Sequence, residues 1–247
     1  MQTDHDHARA LQELAPSGVL RVGLNLSNFL LIKPGTGQTD PQGIVPDLAR
    51  ALAAELGVAL RFVPYPSPGL LGDAVSNDAW DVAFLADEPA RAAKIAFSPP
   101  YLEIPAGYLV PAGSPLNSLS EVDRAGVRIA SMDAGAYTLY LQRTLKHAEL
   151  VLARTIDDSF KMFVEQGLHA LAGLQPRLLS DQAQLPGSRI LPGHFTAVQQ
   201  AIGTPRRNVA AAGWLAGFAE RAKASGQVQE AISRHQVPGV HVAPSRP

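Results

Sequence analysis

Val19-Leu20-Arg21-Val22-Gly23-Leu24 is followed by Pro46-Asp47-Leu48-Ala49-Arg50-Ala51-Leu52-Ala53-Ala54-Glu55-Leu56-Gly57 and then by the run from Val58 to Val63. The first stretch alternates as a half-buried strand does. In the second, Pro46 stands where a first helical turn tolerates a missing N–H, Leu48, Leu52 and Leu56 recur every four residues, and Gly57 supplies a stop. That is a helix with one apolar stripe, joined to the first strand by a loop rich in Gly, Thr and Pro that runs to about Gly43. Val58 to Val63 reads as a second strand, Leu70 to Val75 as a short helix and Trp80 to Leu85 as a third strand. The order βαβαβ implies a parallel sheet, because parallel neighbours need a helical crossover.

On the N-terminal side, His7 to Leu14 carries a short helical pattern that ends at the turn Pro16-Ser17-Gly18. On the C-terminal side, the turn Pro111-Ala112-Gly113-Ser114-Pro115 opens a second α/β series. It reads as strand Val127 to Ala130, helix from about Ala134 to Leu145, strand Leu150 to Leu152, helix Asp158 to Gln166 and strand His169 to Ala172. Extended segments Ile104 to Val110 and Phe195 to Ile202 join the two series. The expected fold class is therefore α/β, with two Rossmann-like lobes joined by a two-segment hinge. Residues 1–106 and 200–247 are expected to form lobe 1, and residues 107–199 lobe 2. The closing helices, about Asn208 to Ala224 and Gln227 to His235, hold Trp214, Leu215 and Phe218 at helical spacing and are expected to return to lobe 1.

Composition narrows the function. With 247 residues, 46% of them hydrophobic and 17% charged, the chain is globular rather than disordered. Lys and Arg (21) nearly balance Asp and Glu (22), so no positive excess is available for a nucleic acid or an anionic membrane surface. Apolar runs such as Phe29-Leu30-Leu31-Ile32 are far shorter than the roughly 18 residues of a spanning helix, so membrane insertion is not expected. The absence of Cys removes a disulfide framework, a thiolate zinc site and a Cys nucleophile. Met1-Gln2-Thr3-Asp4-His5-Asp6-His7 has neither a basic n-region nor an apolar h-region, which leaves two expectations open: an authentic cytoplasmic start, or a leader already removed. His5 and His7 read as a polar tail rather than a metal site, having no second ligand cluster.

Several blocks then point to a family. Gly18 to Gly23, Gly43-Ile44-Val45-Pro46-Asp47-Leu48-Ala49-Arg50-Ala51-Leu52, Trp80-Asp81-Val82-Ala83, and Arg91 through Ile95-Ala96-Phe97-Ser98-Pro99-Pro100-Tyr101 follow in order, and Gly113-Ser114-Pro115, Leu119-Ser120-Glu121-Val122 and Val127-Arg128-Ile129-Ala130 continue the pattern. Taken together the chain resembles the type II solute-binding proteins of ABC transporters, in particular the amino-acid-binding group (bacterial solute-binding protein family 3). The resemblance implies the type II periplasmic binding architecture, a cleft that closes on a small ligand by hinge motion, a periplasmic location and an ABC permease as partner.

By the same resemblance, Arg91 clamps a ligand carboxylate through paired charge-assisted hydrogen bonds. The loop Asn25-Leu26-Ser27-Asn28-Phe29 stands where similar proteins offer an acid and an aromatic. Here Asn25 replaces the acid and Asn28 the aromatic, while Phe29 supplies an apolar wall; Asn25, Ser27 and Asn28 equally suit the satisfaction of turn backbone groups. Phe84 and Asp87 belong to a segment shorter than usual that lacks the customary hydroxyls. In lobe 2, Asp133 and Tyr137 accompany a helix start, where Asp133 also reads as an N-cap and Tyr137 as core. Gln175 lies in Ala172-Gly173-Leu174-Gln175-Pro176-Arg177, which has no acid where similar proteins pair the ligand ammonium.

Burying an unpaired ammonium would cost several kcal/mol. Either Asp87, Glu88 or Asp133 takes over that pairing, or the ligand has no α-ammonium, and a carboxylate-bearing ligand is then expected to outrank standard amino acids. No catalytic residue, metal or cofactor is assigned, and a monomer is expected. The rival readings are a dehydratase-like enzyme on the same fold, with Asp87, Glu88, Glu103 and Asp133 as its available carboxylates, and a cytoplasmic metabolite sensor.

Overall fold

The structure, a computed structural model, describes residues 2–36 and 40–245. Met1, residues 37–39 of the Gly-, Thr- and Pro-rich loop, and the side chains of residues 2–6, His5 among them, lie outside what is described. In chain order the elements are α1 (Gln2–Leu14), β1 (Val19–Asn25), α2 (Ile44–Leu56), β2 (Ala59–Tyr65), α3 (Pro68–Asp73), β3 (Val82–Ala86), α4 (Pro89–Ala92), β4 (Ile95–Phe97) and β5 (Leu102–Val110). They continue with β6 (Arg128–Met132), α5 (Ala136–Thr144), β7 (Glu149–Ala153), α6 (Ile156–Glu165), β8 (Ala170–Leu174), α7 (Gln175–Gln184), β9 (Arg189–Ile190) and β10 (Thr196–Pro205). The chain closes with α8 (Val209–Ala224), α9 (Gln227–His235) and β11 (His241–Val242). The described residues fall into two compact units. Unit 1 holds the chain up to Glu103, Gln199–Val237 and the segment from His241 on; unit 2 holds Ile104–Val198 and Pro238–Val240. Two of the passages between the units occur inside strands, β5 and β10, and two more flank the short segment Pro238–Val240.

In unit 1 the βαβαβ expectation is met: β1 pairs in parallel with β2 on one side and β3 on the other, placing Val22 opposite both Phe62 and Val82. The far part of β10 then runs antiparallel to β3, with Ile202 opposite Phe84. The α2 stripe is buried as its spacing requires, and Gly57 adopts the left-handed conformation (φ 68°) that lets its N–H reach the carbonyls of Ala53 and Ala54. The helix begins at Gly43, where φ is 127° and any Cβ would stand 2.4 Å from the carbonyl oxygen of Leu31, so only glycine fits. Two side-chain contacts fix the entry to β3. Arg21 grips Asp81 through Nε (3.0 Å) and Nη2 (2.6 Å), and buried Trp80 donates its indole N–H to the carbonyl of Leu71 at 2.9 Å.

The first helix is longer than its pattern suggests, since Gln2 to Asp6 carries no apolar period. It is nevertheless docked: Ala10 and Leu14 are fully buried, and the Glu13 carboxylate accepts from the N–H of Ala211 (2.8 Å) in the first turn of α8. A carboxylate there satisfies an otherwise unpaired helix donor and meets the positive end of the helix dipole. Trp214 donates to Nδ1 of His7 at 3.2 Å, so His7 belongs to this packing.

Unit 2 has its own parallel strands, with β6 paired to β7 and to β8, and β5 runs antiparallel to β8. Leu109, Ala130, Phe163, Leu168, Leu171 and Leu178 form its core. Two helix starts differ from the sequence reading. Helix α6 begins at Ile156 because Thr155 is its cap, accepting from the N–H of Asp158 at 3.0 Å. Helix α5 begins at Ala136 rather than Ala134, because Ala134 has φ 55° and Gly135 is the capping residue. Asp133 is therefore not its N-cap; its carboxylate accepts instead from the adjacent N–H of Ala134 (2.8 Å). Helix α7 was not anticipated, because Asp181 occupies a buried position of its inner stripe beside Pro176 and Leu178 and hides the apolar period.

One carboxylate holds a turn of this unit together. Asp123 accepts from the N–H groups of Ala148 (2.9 Å), His147 (2.8 Å) and Lys146 (2.9 Å), which hold its carboxyl below the usual range. A depressed folded-state pKa contributes stability above the unfolded value of about 3.9 and loses it as pH falls through the folded value. The stability gap between wild type and Asp123→Asn, read from urea unfolding, should be widest near neutral pH and close progressively below about pH 4.

Candidate functional site

In open α/β sheets, ligands are met at the carboxyl ends of the parallel strands, because helix starts and connecting loops converge there. Each unit is described by itself at that end.

In unit 1, β1 ends at Asn25, β2 at Tyr65 and β3 at Ala86. The Asn25 side chain accepts from Ser27 twice, from its hydroxyl (2.8 Å) and its N–H (3.2 Å), so these two residues spend their polarity on the turn. Asn28 differs. Its backbone carbonyl accepts from Leu31 and Ile32, but its side-chain oxygen is buried and has no hydrogen-bond partner among the described residues. Phe29 beside it is 42% exposed. Phe84, by contrast, is core, edge-on to Tyr101 with ring centroids 5.7 Å apart, and the Tyr101 hydroxyl is a second buried, unpartnered group. Asp87 follows β3 directly, its N–H bonded to the carbonyl of Gln199 at 2.9 Å.

Arg91 is carried on the four-residue helix α4, which Pro89 starts immediately after buried Glu88. It is only 9% exposed. Its Nη1 donates to the carbonyl of Ala86, the last residue of β3, at 3.1 Å. Burial pulls its pKa down to about 10, against the pull of Glu88 and Asp73, which favour the charge. The guanidinium thus remains cationic at neutral pH and is fixed against the strand end. Glu88 is its neighbour in the chain, whereas Asp73, which also balances it, ends α3 and reaches it through the fold, an approach that no local spacing signals.

In unit 2, β6 ends at Met132, β7 at Ala153 and β8 at Leu174. Asp133 is exposed at the end of β6. Tyr137, one turn further, is buried and lines a small internal hollow with Ser159, Arg177 and Asp181; burial raises its phenol well above the ordinary range. Gln175 at the end of β8 donates to the carbonyl of Gly193 at 2.7 Å. Arg177 is engaged within the unit by Asp181 through Nε (2.7 Å) and by Asp157 through Nη1 (2.6 Å). That i,i+4 Arg–Asp spacing is a signal present in the sequence but overlooked.

In unit 1, Asn25 ends β1 with Ser27, Asn28 and Phe29 just after it, and Asp87 and Arg91 follow β3; in unit 2, Asp133 follows β6 and Gln175 follows β8, while Phe84 and Tyr137 are buried. Among the described residues, no group of three or more metal-capable side chains comes together, and no helix is long and apolar enough to cross a membrane.

Residues 23–236 match the bacterial extracellular solute-binding proteins, family 3. The chain belongs to that family. The match takes in both units and their strand-end residues, and leaves α1 outside it. No curated protein sequence gives a match. Solved structures share the fold of this family 3 protein. A solute receptor for L-cysteine of Neisseria gonorrhoeae is 17% identical, with a TM-score of 0.76 over 93% of this chain and 94% of its own. An amino acid ABC transporter substrate-binding protein of Streptococcus pneumoniae bound to L-arginine is 18% identical, with a TM-score of 0.74 over 91% and 97%. An ancestral amino acid-binding protein, a precursor of cyclohexadienyl dehydratase, is 21% identical, with a TM-score of 0.73 over 91% and 98%. These likenesses establish the two-lobed type II periplasmic binding fold, and the family is one of solute-binding proteins rather than enzymes.

Proposed function

We propose that this protein captures a small carboxylate-bearing solute, an amino acid or a related metabolite, between its two units by hinge closure, and hands it to an ABC-type permease. What supports the reading is that, in a member of a solute-binding family, a buried and cationic Arg91 follows the carboxyl end of a parallel strand of unit 1, the end at which open α/β sheets meet ligands. A ligand that touches both units favours the closed state only by the contacts it makes there, so no chemistry on the ligand is required. Arg91 is the carboxylate anchor in this reading, Asn28, Phe29 and Asp87 wall its unit 1 side, and Asp133 and Gln175 meet it from unit 2. The lobe limits 1–106 with 200–247, and 107–199, belong to the same proposal, as does action as a monomer.

We read no catalysis into the site. Of the carboxylates an enzyme would draw on, Glu103 accepts from Gln199 at 2.9 Å and Glu88 is buried beside Arg91. A thermal-shift screen of amino acids, other small carboxylates and polyols tests the reading. A carboxylate at one hundred times its Kd should stabilise the protein by about 2.7 kcal/mol, and polyols should not. If no carboxylate shifts the transition, the capture reading fails; if a binding carboxylate is converted on incubation, the dehydratase-like alternative on the same fold replaces it.

A further inference from the structure

The family match stops at residue 236, and the chain that follows passes between the units twice more. It leaves unit 1 after Val237, lends Pro238–Val240 to unit 2 and returns to unit 1 at His241. Each stretch is fastened within its own unit. Where the chain leaves, the N–H of Val237 donates to the carbonyl of Ile232, a residue of the buried side of α9. In unit 2, Gly239 lies so close to Pro176 that a Cβ at this position would stand 3.0 Å from the proline Cγ, and Val240 is buried. Back in unit 1, β11 pairs with β5, setting His241 opposite Glu103 and Val242 opposite Leu102. Ala243 is buried with its N–H on the carbonyl of Tyr101 (3.2 Å), and the Lys223 ammonium donates to the carbonyl of Pro244 at 3.0 Å.

These fastenings leave no slack. The outgoing leg runs from Val237 to Gly239 and the return leg from Val240 to His241, so neither spans more than roughly 7 Å even when fully extended. The return leg arrives opposite Glu103, the last residue of β5 in unit 1, whose carboxylate also accepts from Gln199, the first residue of β10 in that unit, at 2.9 Å. We infer that residues 237–243 form a third hinge strand, a strap that limits how far the ligand-free units swing about β5 and β10. This rests on the closure reading and adds to it. A short strap fixed in both units removes conformations from the ligand-free ensemble. Less ordering is then left for the ligand to impose, and capture is tighter. A C-terminal tail held by one unit alone would have no such effect.

The chain has no cysteine, so Leu70→Cys in unit 1 and Leu179→Cys in unit 2, both at exposed side chains, accept a pair of spin labels without competition. Double electron–electron resonance on the full chain then reads the distribution of distances between the labels. The comparison protein carries Gly-Ser-Gly-Ser inserted between Val237 and Pro238, which lengthens the strap and keeps its fastenings. Without ligand, the insertion should widen the distribution by about half or more, with the thermal transition unchanged. The proteinogenic amino acids and the small carboxylates of the screen are then added singly. One that narrows the wild-type distribution should narrow both proteins to the same distance, and calorimetry should show it binding the insertion variant about threefold to tenfold more weakly. If the insertion lowers the thermal transition, Pro238→Gly, which adds backbone freedom without length, should give the same widening in smaller degree. An unchanged ligand-free width in the folded variants, or affinities within about twofold of wild type, overturns the strap while ligand-induced narrowing of the wild type leaves closure standing. A wild type that no probe narrows overturns closure and the strap together.

Discussion

Replacing Arg177 by Ala should destabilise unit 2 by about 3–5 kcal/mol, the range for removing one member of a buried ion pair. Asp181 is 1% exposed, and its charge is compensated by Arg177 Nε at 2.7 Å. Burial already pushes the Asp181 carboxyl upward, with Arg177 pulling the other way. Without the guanidinium, the ionised carboxylate stays in the interior uncompensated, or takes up a proton. The sign of the pH dependence follows. A carboxyl raised in the folded state favours folding below its unfolded value of about 3.9, and that contribution is lost as pH rises through the folded value. The Arg177→Ala deficit, measured by urea unfolding, should accordingly be largest at neutral pH and smaller in acid. Asp157 is 86% exposed, so Asp157→Ala should cost no more than about 1 kcal/mol. The double change Arg177→Met with Asp181→Leu should recover much of the loss, because an apolar pair fills the space without a buried charge. An Arg177→Ala variant as stable as wild type would show that Asp181 carries no charge in the fold.

The second large effect is on binding. Arg91→Ala should weaken the carboxylate ligand found by screening by about 2–5 kcal/mol, which is roughly 30-fold or more, as expected when a buried charged hydrogen-bonding partner is removed. Arg91→Lys should recover only part of this, since an ammonium cannot reproduce the planar fork. Because burial pulls the Arg91 pKa down to about 10, affinity should be flat from pH 6 to 8 and fall as pH passes 10. The ligand-free unfolding transition must be followed in parallel: Arg91 also braces the end of β3 through the carbonyl of Ala86, so some stability is lost as well. Unchanged affinity in a folded Arg91→Ala protein removes Arg91 from the site.

Much of the architecture can be read from the chain because the relevant signals are local. Leu48, Leu52 and Leu56 lie on one face of α2, and Gly57 ends it by a conformation that other residues adopt only at a cost. The elements that escape reading are those whose inner face holds a charge or whose length is one turn. Helix α7 buries Asp181 where an apolar residue would mark the stripe, and α4 is too short to show any period. The same division runs through the candidate site. Chain position alone puts Arg91, Asp87, Asp133 and Gln175 beside strand ends. Their partners are set by tertiary packing: the carbonyl of Gly193 for Gln175 is eighteen residues away, and Asp73 approaches Arg91 through the fold. Hydrogen bonding at Asn28 is likewise invisible in the sequence, where three short polar residues in a turn look alike.

Helix α1 has a practical corollary. Anyone shortening the gene to the segment shared with its relatives would start near residue 23 and discard Glu13, Ala10 and Leu14. Such a truncation strips the lid from the flank of α8, baring its oily side and leaving the amide of Ala211 with nothing to hold. Expression vectors for this protein should therefore keep that N-terminal helix intact and carry any purification handle at the opposite terminus.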